Sequence, residues 1–335
     1  MSEFRQNPIS KQWVLIAPNR SKRPEEFKTH SVMHGLPELD QACVFCPGNE
    51  DKNPDLCEDV CRIPNHDDWQ IRVIANKYPA LEQNLTPKQR NDFYVSRPGY
   101  GDHEVLITRK HNEPVALQSI SMVELSLHTF TDRINTLSKD DKMAYVEVFH
   151  NHGRDAGASL VHPHYQIMST PFVPPHLHSE LSGCYHYRDI HQSCVYCDMV
   201  KEELKDRDRL VYESEHFVVI SPYASRKPFE MWILPKKHGA RFEDISLAEI
   251  KHLSFVLKVT LGQLYTKLSD PPLNFYIHSM PFARSHHLTK EESSFHWHLV
   301  IFPRLTIWAG FEYSTGIPVN PMPPEEAAHF LRGDL

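Results

Sequence analysis

The residues in this 335-residue chain best suited to chemistry are two histidines one residue apart, His162 and His164, with Gln166 two positions further on. They lie in the run Val161-His162-Pro163-His164-Tyr165-Gln166-Ile167-Met168. We read this run as an apolar strand whose two histidines face opposite ways, so that one holds structure while the other reacts. A neutral imidazole attacks phosphorus well near pH 7. His164 in that role needs one nitrogen bare and aimed at phosphate, while the other donates a hydrogen bond, best to a backbone carbonyl. Gln166 shares the face of His164 and can donate an amide hydrogen to a nonbridging phosphate oxygen. Just upstream, Asn151-His152-Gly153-Arg154-Asp155-Ala156-Gly157-Ala158-Ser159 offers glycines whose exposed N–H groups can cradle an anion, together with the Ser159 hydroxyl.

Cysteines supply the second kind of chemistry. Four of the seven form Cys-x-x-Cys pairs, Cys43/Cys46 and Cys194/Cys197. In a reducing compartment such pairs favour metal or redox use over structural disulfides. Each pair is followed by a histidine closing a strand and by the first histidine of a His-x-His. The sets are Cys43, Cys46, His111 and His162, then Cys194, Cys197, His238 and His296. Two thiolates and two imidazoles make a closed tetrahedral set suited to structural zinc, so two zincs per chain are expected. Cys57, Cys61 and Cys184 are read as packing thiols.

The elements that must position these groups occur twice in one order. The first unit runs through the Cys43 pair, strands near Ile71–Ile74 and Glu104–Thr108, and a helix with Val123, Leu127, Phe130, Ile134 and Leu137 on one face. It ends with a strand at Tyr145–Phe149, the glycine loop and the His-Pro-His run. After the connector Pro171-Phe172-Val173-Pro174-Pro175 the order returns. There follow the Cys194 pair, Phe217–Ile220, a strand leading to His238, a helix with Ile250, Leu253, Leu257, Leu261, Leu264 and Leu268 on one face, Asn274–His278, and His296-Trp297-His298. We therefore expect an α+β protein of two packed halves, residues 1–175 and 176–335, each an antiparallel sheet with a long helix. Val300 stands where the first half has Gln166, so the second half reads as a copy that kept its metal and lost its chemistry.

Composition narrows the partners. A net charge of −7 opposes a broad nucleic-acid-binding face, which needs excess Lys and Arg. No apolar run reaches the roughly 20 residues that cross a bilayer. The start, Met-Ser-Glu-Phe-Arg, lacks the pattern of a signal peptide, and a cytoplasmic location is expected.

At His-Pro-His-Tyr-Gln, with the doubled unit around it, the chain resembles the galactose-1-phosphate uridylyltransferases and the related ADP-glucose phosphorylases of the histidine-triad superfamily. The likeness also rests on Asn19-Arg20-Ser21-Lys22-Arg23-Pro24, Asn76-Lys77-Tyr78-Pro79-Ala80-Leu81, Asn151 through Gln166, Pro228 through His238, and Gly310-Phe311-Glu312. The resemblance implies two tandem histidine-triad-like units and a ping-pong reaction. His164 would take a nucleotidyl group from a nucleotide sugar, release sugar 1-phosphate, and pass the group to an acceptor phosphate. Gln166 fits, because histidine-triad hydrolases carry a third histidine there. By family position Arg20, Arg23, Asn76 and Phe149 line the nucleotide site, Asn151, Gly157 and Ser159 its phosphates, and Phe311 and Glu312 the sugar. A homodimer is implied too. An alternative second metal set of some relatives would match Glu180, His278, His296 and His298; the Cys194/Cys197 pair favours the Cys-Cys-His-His version. The leading expectation is uridylyl transfer between UDP-glucose and a hexose 1-phosphate, as in galactose metabolism. The others are phosphorolysis of ADP-glucose, nucleotide hydrolysis, and a non-enzymatic zinc-stabilised nucleotide-binding protein.

Overall fold

The computed structural model describes residues 1–20, 24–29, 35–50, 59–83, 90–282 and 292–334. Arg23 and Cys57 lie outside them. In the first half the elements are β1 (Glu3–Gln6), β2 (Trp13–Ile16), β3 (Asp59–Ile63), β4 (Ile71–Ala75), β5 (Arg90–Asn91), β6 (Val95–Ser96), β7 (His103–Thr108), α1 (Ile120–Leu137), β8 (Tyr145–His152) and β9 (His164–Thr170). The second half has α2 (Pro175–His191), α3 (Val195–Asp206), β10 (Leu210–Glu213), β11 (Phe217–Ile220), β12 (Met231–Pro235) and α4 (Leu247–Leu268). It continues with β13 (Leu273–His278), β14 (His298–Pro303), α5 (Gly310–Thr315), β15 (Val319–Asn320) and α6 (Pro324–Arg332).

Ten strands make one antiparallel sheet in the order β10-β11-β12-β14-β13-β8-β9-β7-β4-β3. Reading inward from either edge, the strands come in the sequence first, second, third, fifth, fourth of each half. The repeat is therefore a repeat of topology, and the chain is α+β with two units of the same strand order in tandem. The halves join edge to edge, β13 pairing with β8 from Leu273 opposite His152 to Ile277 opposite Val148.

Alternation along each strand sorts the two faces. On one face Val73, Leu106, Val148, Tyr165 and Ile167 meet their counterparts Val219, Ile233, Phe275 and Leu299 in a single core under α1 and α4. All five apolar residues expected on the face of α1 are buried there, and Ser119 caps that helix by accepting the Met122 N–H at 3.2 Å. A capping box of Ser246 and Glu249 starts α4.

On the opposite face α2 and α3 cover the second half, with Leu177, Leu181, Cys184 and Tyr196 against Val218, Trp232 and Val300. Over the first half no helix covers the same face among the described residues; the Cys43–Cys46 turn lies there, its Phe45 packing with Trp69, Ile74, Val105 and Ile107. That difference leaves the first half open where the second is covered. The N-terminal strands lie on the second half: β2 pairs in parallel with β15, and Arg5 donates to Glu325 at 2.8 Å. No helix among the described residues is long and apolar enough to cross a membrane.

Candidate active site and metal centres

The expected strand does not begin at Val161. It begins at His164, as β14 begins at His298 in the second half. Nor do His162 and His164 face opposite ways. A strand's period of two puts residues two apart on one face, and Phe45 packs edge-on against both rings, at 6.0 Å from His162 and 5.4 Å from His164. Their roles divide by ring nitrogen instead. His162 turns Nδ1 toward Cys43 and Cys46, at 3.6 and 3.5 Å, and donates from Nε2 to the Thr108 carbonyl at 2.6 Å. His164 donates from Nδ1 to the His162 carbonyl at 2.8 Å, which leaves the lone pair on Nε2.

Burial pushes the His164 imidazole below the ordinary histidine range, against the opposing effect of its bond to the His162 carbonyl. The ring is thus held neutral and in the tautomer a nucleophile needs. A further bond, from His150 Nδ1 to the His164 carbonyl at 2.7 Å, fixes the backbone from the core side.

Gln166 follows on β9 directly opposite Phe149 of β8, and Phe149 in turn lies opposite Tyr276 of β13. Period two then places His164, Gln166, Phe149 and Asn151 on the open face. Asn151 accepts from Asn274 at 2.7 Å. The glycine loop turns through Gly153 and Gly157, both at positive φ (79° and 88°). At Gly157 the left-handed conformation favours glycine. A cleft of about 430 Å³ runs along this loop, lined by Asn151, Arg154, Ala158 and Ser159 together with His162.

Asn76 directly follows β4 with its amide nitrogen 3.0 Å from His103 Nε2, and that histidine nitrogen lies 2.8 Å from Gln166 Oε1. Asn76 is thereby joined to Gln166 through a residue the sequence did not single out. A signal was there: His103, Val105 and Ile107 alternate along one strand. Arg20 ends an exposed turn at Pro18–Arg20. No hydrogen bond or ion pair among the described residues joins its side chain to His164 or Gln166. Phe311 is 45% exposed on α5, and Glu312 Oε2 accepts the Ala309 N–H at 3.0 Å, capping that helix. Tyr165, between the two site residues, points the other way and packs against Phe130, His150 and Phe275.

Both predicted metal sets come together, with all four donor atoms of each within 4.8 Å of one another. In the first, Cys46 Sγ lies 3.6 Å from His111 Nδ1. In the second, Cys197 Sγ lies 3.4 and 3.5 Å from Nδ1 of His238 and His296. A tetrahedral ion with ordinary Zn–S and Zn–N bonds sets sulfur and nitrogen about 3.6 Å apart, so the donor sets fit zinc. Two of the four far nitrogens also have the carbonyl partner expected around metal-bound imidazole, Thr108 for His162 and Glu292 for His238, the latter at 3.0 Å. Burial pushes the Cys46 thiol up to about 11, a proton that a bound cation would displace. Glu180 pairs instead with His278 at 2.9 Å.

In the second half His298 repeats the His164 bond, donating from Nδ1 to the His296 carbonyl at 3.1 Å. Yet His298 is fully buried, closed in by Tyr196 and Trp232 at 4.9 and 5.2 Å.

A doubled antiparallel sheet with one His-x-His-x-Gln site and two Cys₂His₂ donor sets fits a class of nucleotidyltransferases. The chain belongs to the galactose-1-phosphate uridylyltransferase family: the profile of that family's N-terminal domain matches residues 1–174 and that of its C-terminal domain residues 180–333. It is 36% identical to an ADP-glucose phosphorylase from Arabidopsis thaliana over 98% of this chain and 92% of that one. It is 29% identical to a galactose-1-phosphate uridylyltransferase from Thermotoga maritima over 99% and 98%. An Arabidopsis thaliana ADP-glucose phosphorylase solved with bound ADP-glucose superposes with a TM-score of 0.83, at 33% identity and 99% coverage of both chains.

Proposed function

We propose that this protein transfers a nucleotidyl group from a nucleoside diphosphate hexose to an acceptor phosphate through a covalent intermediate on His164. The observation that carries the reading is the His164 Nδ1–His162 carbonyl bond, which leaves a neutral Nε2 on the open face beside Gln166. In the first half-reaction the Nε2 lone pair attacks the α-phosphorus. A P–N bond forms, and the bond to the bridging oxygen breaks with its electron pair leaving on the hexose 1-phosphate. In the second, an oxygen of the acceptor phosphate attacks the same phosphorus, the P–N bond breaks, and His164 is regenerated. Gln166 would donate to a nonbridging oxygen throughout.

Asn151, Gly157 and Ser159 would hold the phosphates, Asn76, Phe149, Arg20 and Arg23 the nucleoside, and Phe311 and Glu312 the hexose. Residues 1–175 would carry the chemistry and 176–335 the hexose contacts. Two zincs, held by Cys43, Cys46, His111 and His162 and by Cys194, Cys197, His238 and His296, would stiffen the chain over one face of the sheet, one in each half, with no position open to substrate. A symmetric homodimer in the cytoplasm completes the proposal.

Two donors fit. Uridylyl exchange between UDP-glucose and a hexose 1-phosphate accords with the family as a whole; phosphorolysis of ADP-glucose accords with the greater similarity to the Arabidopsis enzyme. Incubation with each donor, labelled in the α-phosphate, should leave acid-labile label on the protein from one of them and none on His164→Gly. Label from neither would sink both readings, and rapid release of free nucleotide without acceptor would make the protein a hydrolase.

A further inference from the structure

We propose that His103 is a positioning residue that fixes which way the Gln166 amide faces, and this rests on the nucleotidyl-transfer reading above. His103 opens β7 opposite Met168, and its ring reaches diagonally to Gln166, one residue pair along the same face. A backbone N–H can only donate, so the Ala80 N–H, 3.2 Å from His103 Nδ1, requires the lone pair on Nδ1 and the proton on Nε2. That proton points at Gln166 Oε1, 2.8 Å away. Once its oxygen is taken, Gln166 has only its NH₂ left to offer, which is the half that a phosphate oxygen needs.

The turn after β4 sets this arrangement. Asn76 Oδ1 accepts the Tyr78 N–H at 3.0 Å, which bends the chain so that the Ala80 N–H meets the ring. The same bond commits the Asn76 oxygen and turns its NH₂ toward His103 Nε2, at 3.0 Å. Two N–H donors cannot bond one another, so among the described residues the Asn76 NH₂, like that of Gln166, is left for an acceptor from elsewhere. With His103 Nδ1 and the Asn76 oxygen each taken by a backbone N–H, the donors of Gln166, His103 and Asn76 outnumber the one acceptor left among them, Gln166 Oε1. That surplus is what an anionic oxygen matches. Without His103 the Gln166 amide is free to turn over and present its oxygen to the phosphate.

The test is a double-mutant cycle in the full chain, following single-turnover labelling of the protein by the donor that labels the unmodified chain. His103→Leu should slow labelling about 10- to 100-fold, with KM for that donor within about threefold. His103→Gln carries an NH₂ near the position of Nε2 and should recover most of the rate. In a Gln166→Ala background, His103→Leu should cost less than about twofold more. Equal losses in both backgrounds, equal losses in the Leu and Gln variants, or a rise in KM alone would each overturn the proposal. Should His103→Leu fail to fold, His103→Gln must label within about threefold of the unmodified rate, and a larger loss overturns it. If the unmodified chain takes no label from either donor, the functional reading itself fails, and the proposal with it.

Discussion

At the site, neighbouring imidazoles of one face are separated in function by a single hydrogen bond each. His162 spends Nε2 on the Thr108 carbonyl and turns Nδ1 to the thiols; His164 spends Nδ1 on the His162 carbonyl and keeps Nε2. His164→Gly should therefore leave the metal content at two per chain by mass spectrometry, whereas His162→Ala should lower it to one. His162→Ala should also slow transfer by at least about tenfold, because the carbonyl that orients His164 belongs to the lost ligand. The sequence marks both histidines for the roles proposed for them, ligand and nucleophile, but the opposite faces expected of them are not what the structure has. Period two places them together, and only hydrogen-bond geometry tells them apart. His103 was illegible because its role lies in one tautomer, set by a backbone N–H of a turn more than 20 residues away. Tyr165 is similar: its spacing puts it beside His164, while the pleat turns it into the core. Tyr165→Ala should cost about 3–5 kcal/mol in urea unfolding, whereas Tyr165→Phe, which keeps the ring contacts, should cost no more than about 1 kcal/mol.

At the scale of elements, the strands with apolar character on both faces and the two long helices were legible, since each buries a continuous stripe. Strands β3 and β10 were not. They are the outermost strands of the sheet, and Asp-Val-Cys-Arg-Ile and Leu-Val-Tyr-Glu carry the charges that edges tolerate. Helix α2 escaped notice because His and Tyr crowd its sequence. Its buried side, Leu177, Glu180, Leu181 and Cys184, nonetheless recurs at helical spacing after a proline at the first turn. That helix lies close against the N-terminal segment: a Cβ at Gly183 would come 1.9 Å from the Ile9 carbonyl oxygen. Alanine raises helix propensity by about 1 kcal/mol, but here the clash should dominate. Gly183→Ala should destabilise the protein by about 1–3 kcal/mol in thermal or urea unfolding, with the segment around Ile9 becoming the first to be cut by protease.

Across the whole molecule the β8–β13 seam makes one sheet of two halves, and its covered face is charged as well as apolar. Glu147 of β8 is half-buried there, with its carboxylate 2.9 Å from the Tyr145 hydroxyl. Burial raises it to about 7, against the influence of His278 and the Tyr145 bond. The fold thus favours the protonated carboxyl relative to the unfolded chain. Its contribution is complete below the ordinary glutamate range near pH 4.5 and is lost as pH rises through about 7. The full loss is worth roughly 3 kcal/mol. His278 is raised by Glu180 against the effect of burial, and losing its proton removes stability in the same direction. Urea midpoints should therefore fall between about pH 4.5 and pH 7, with the loss of the His278 proton continuing the fall above the ordinary histidine range. Glu147→Gln, which keeps an acceptor for Tyr145 without the ionisation, should flatten most of that slope and leave only the part due to His278. An unchanged slope would mean that Glu147 is already ionised at pH 6, and that the seam holds two carboxylates against one imidazolium.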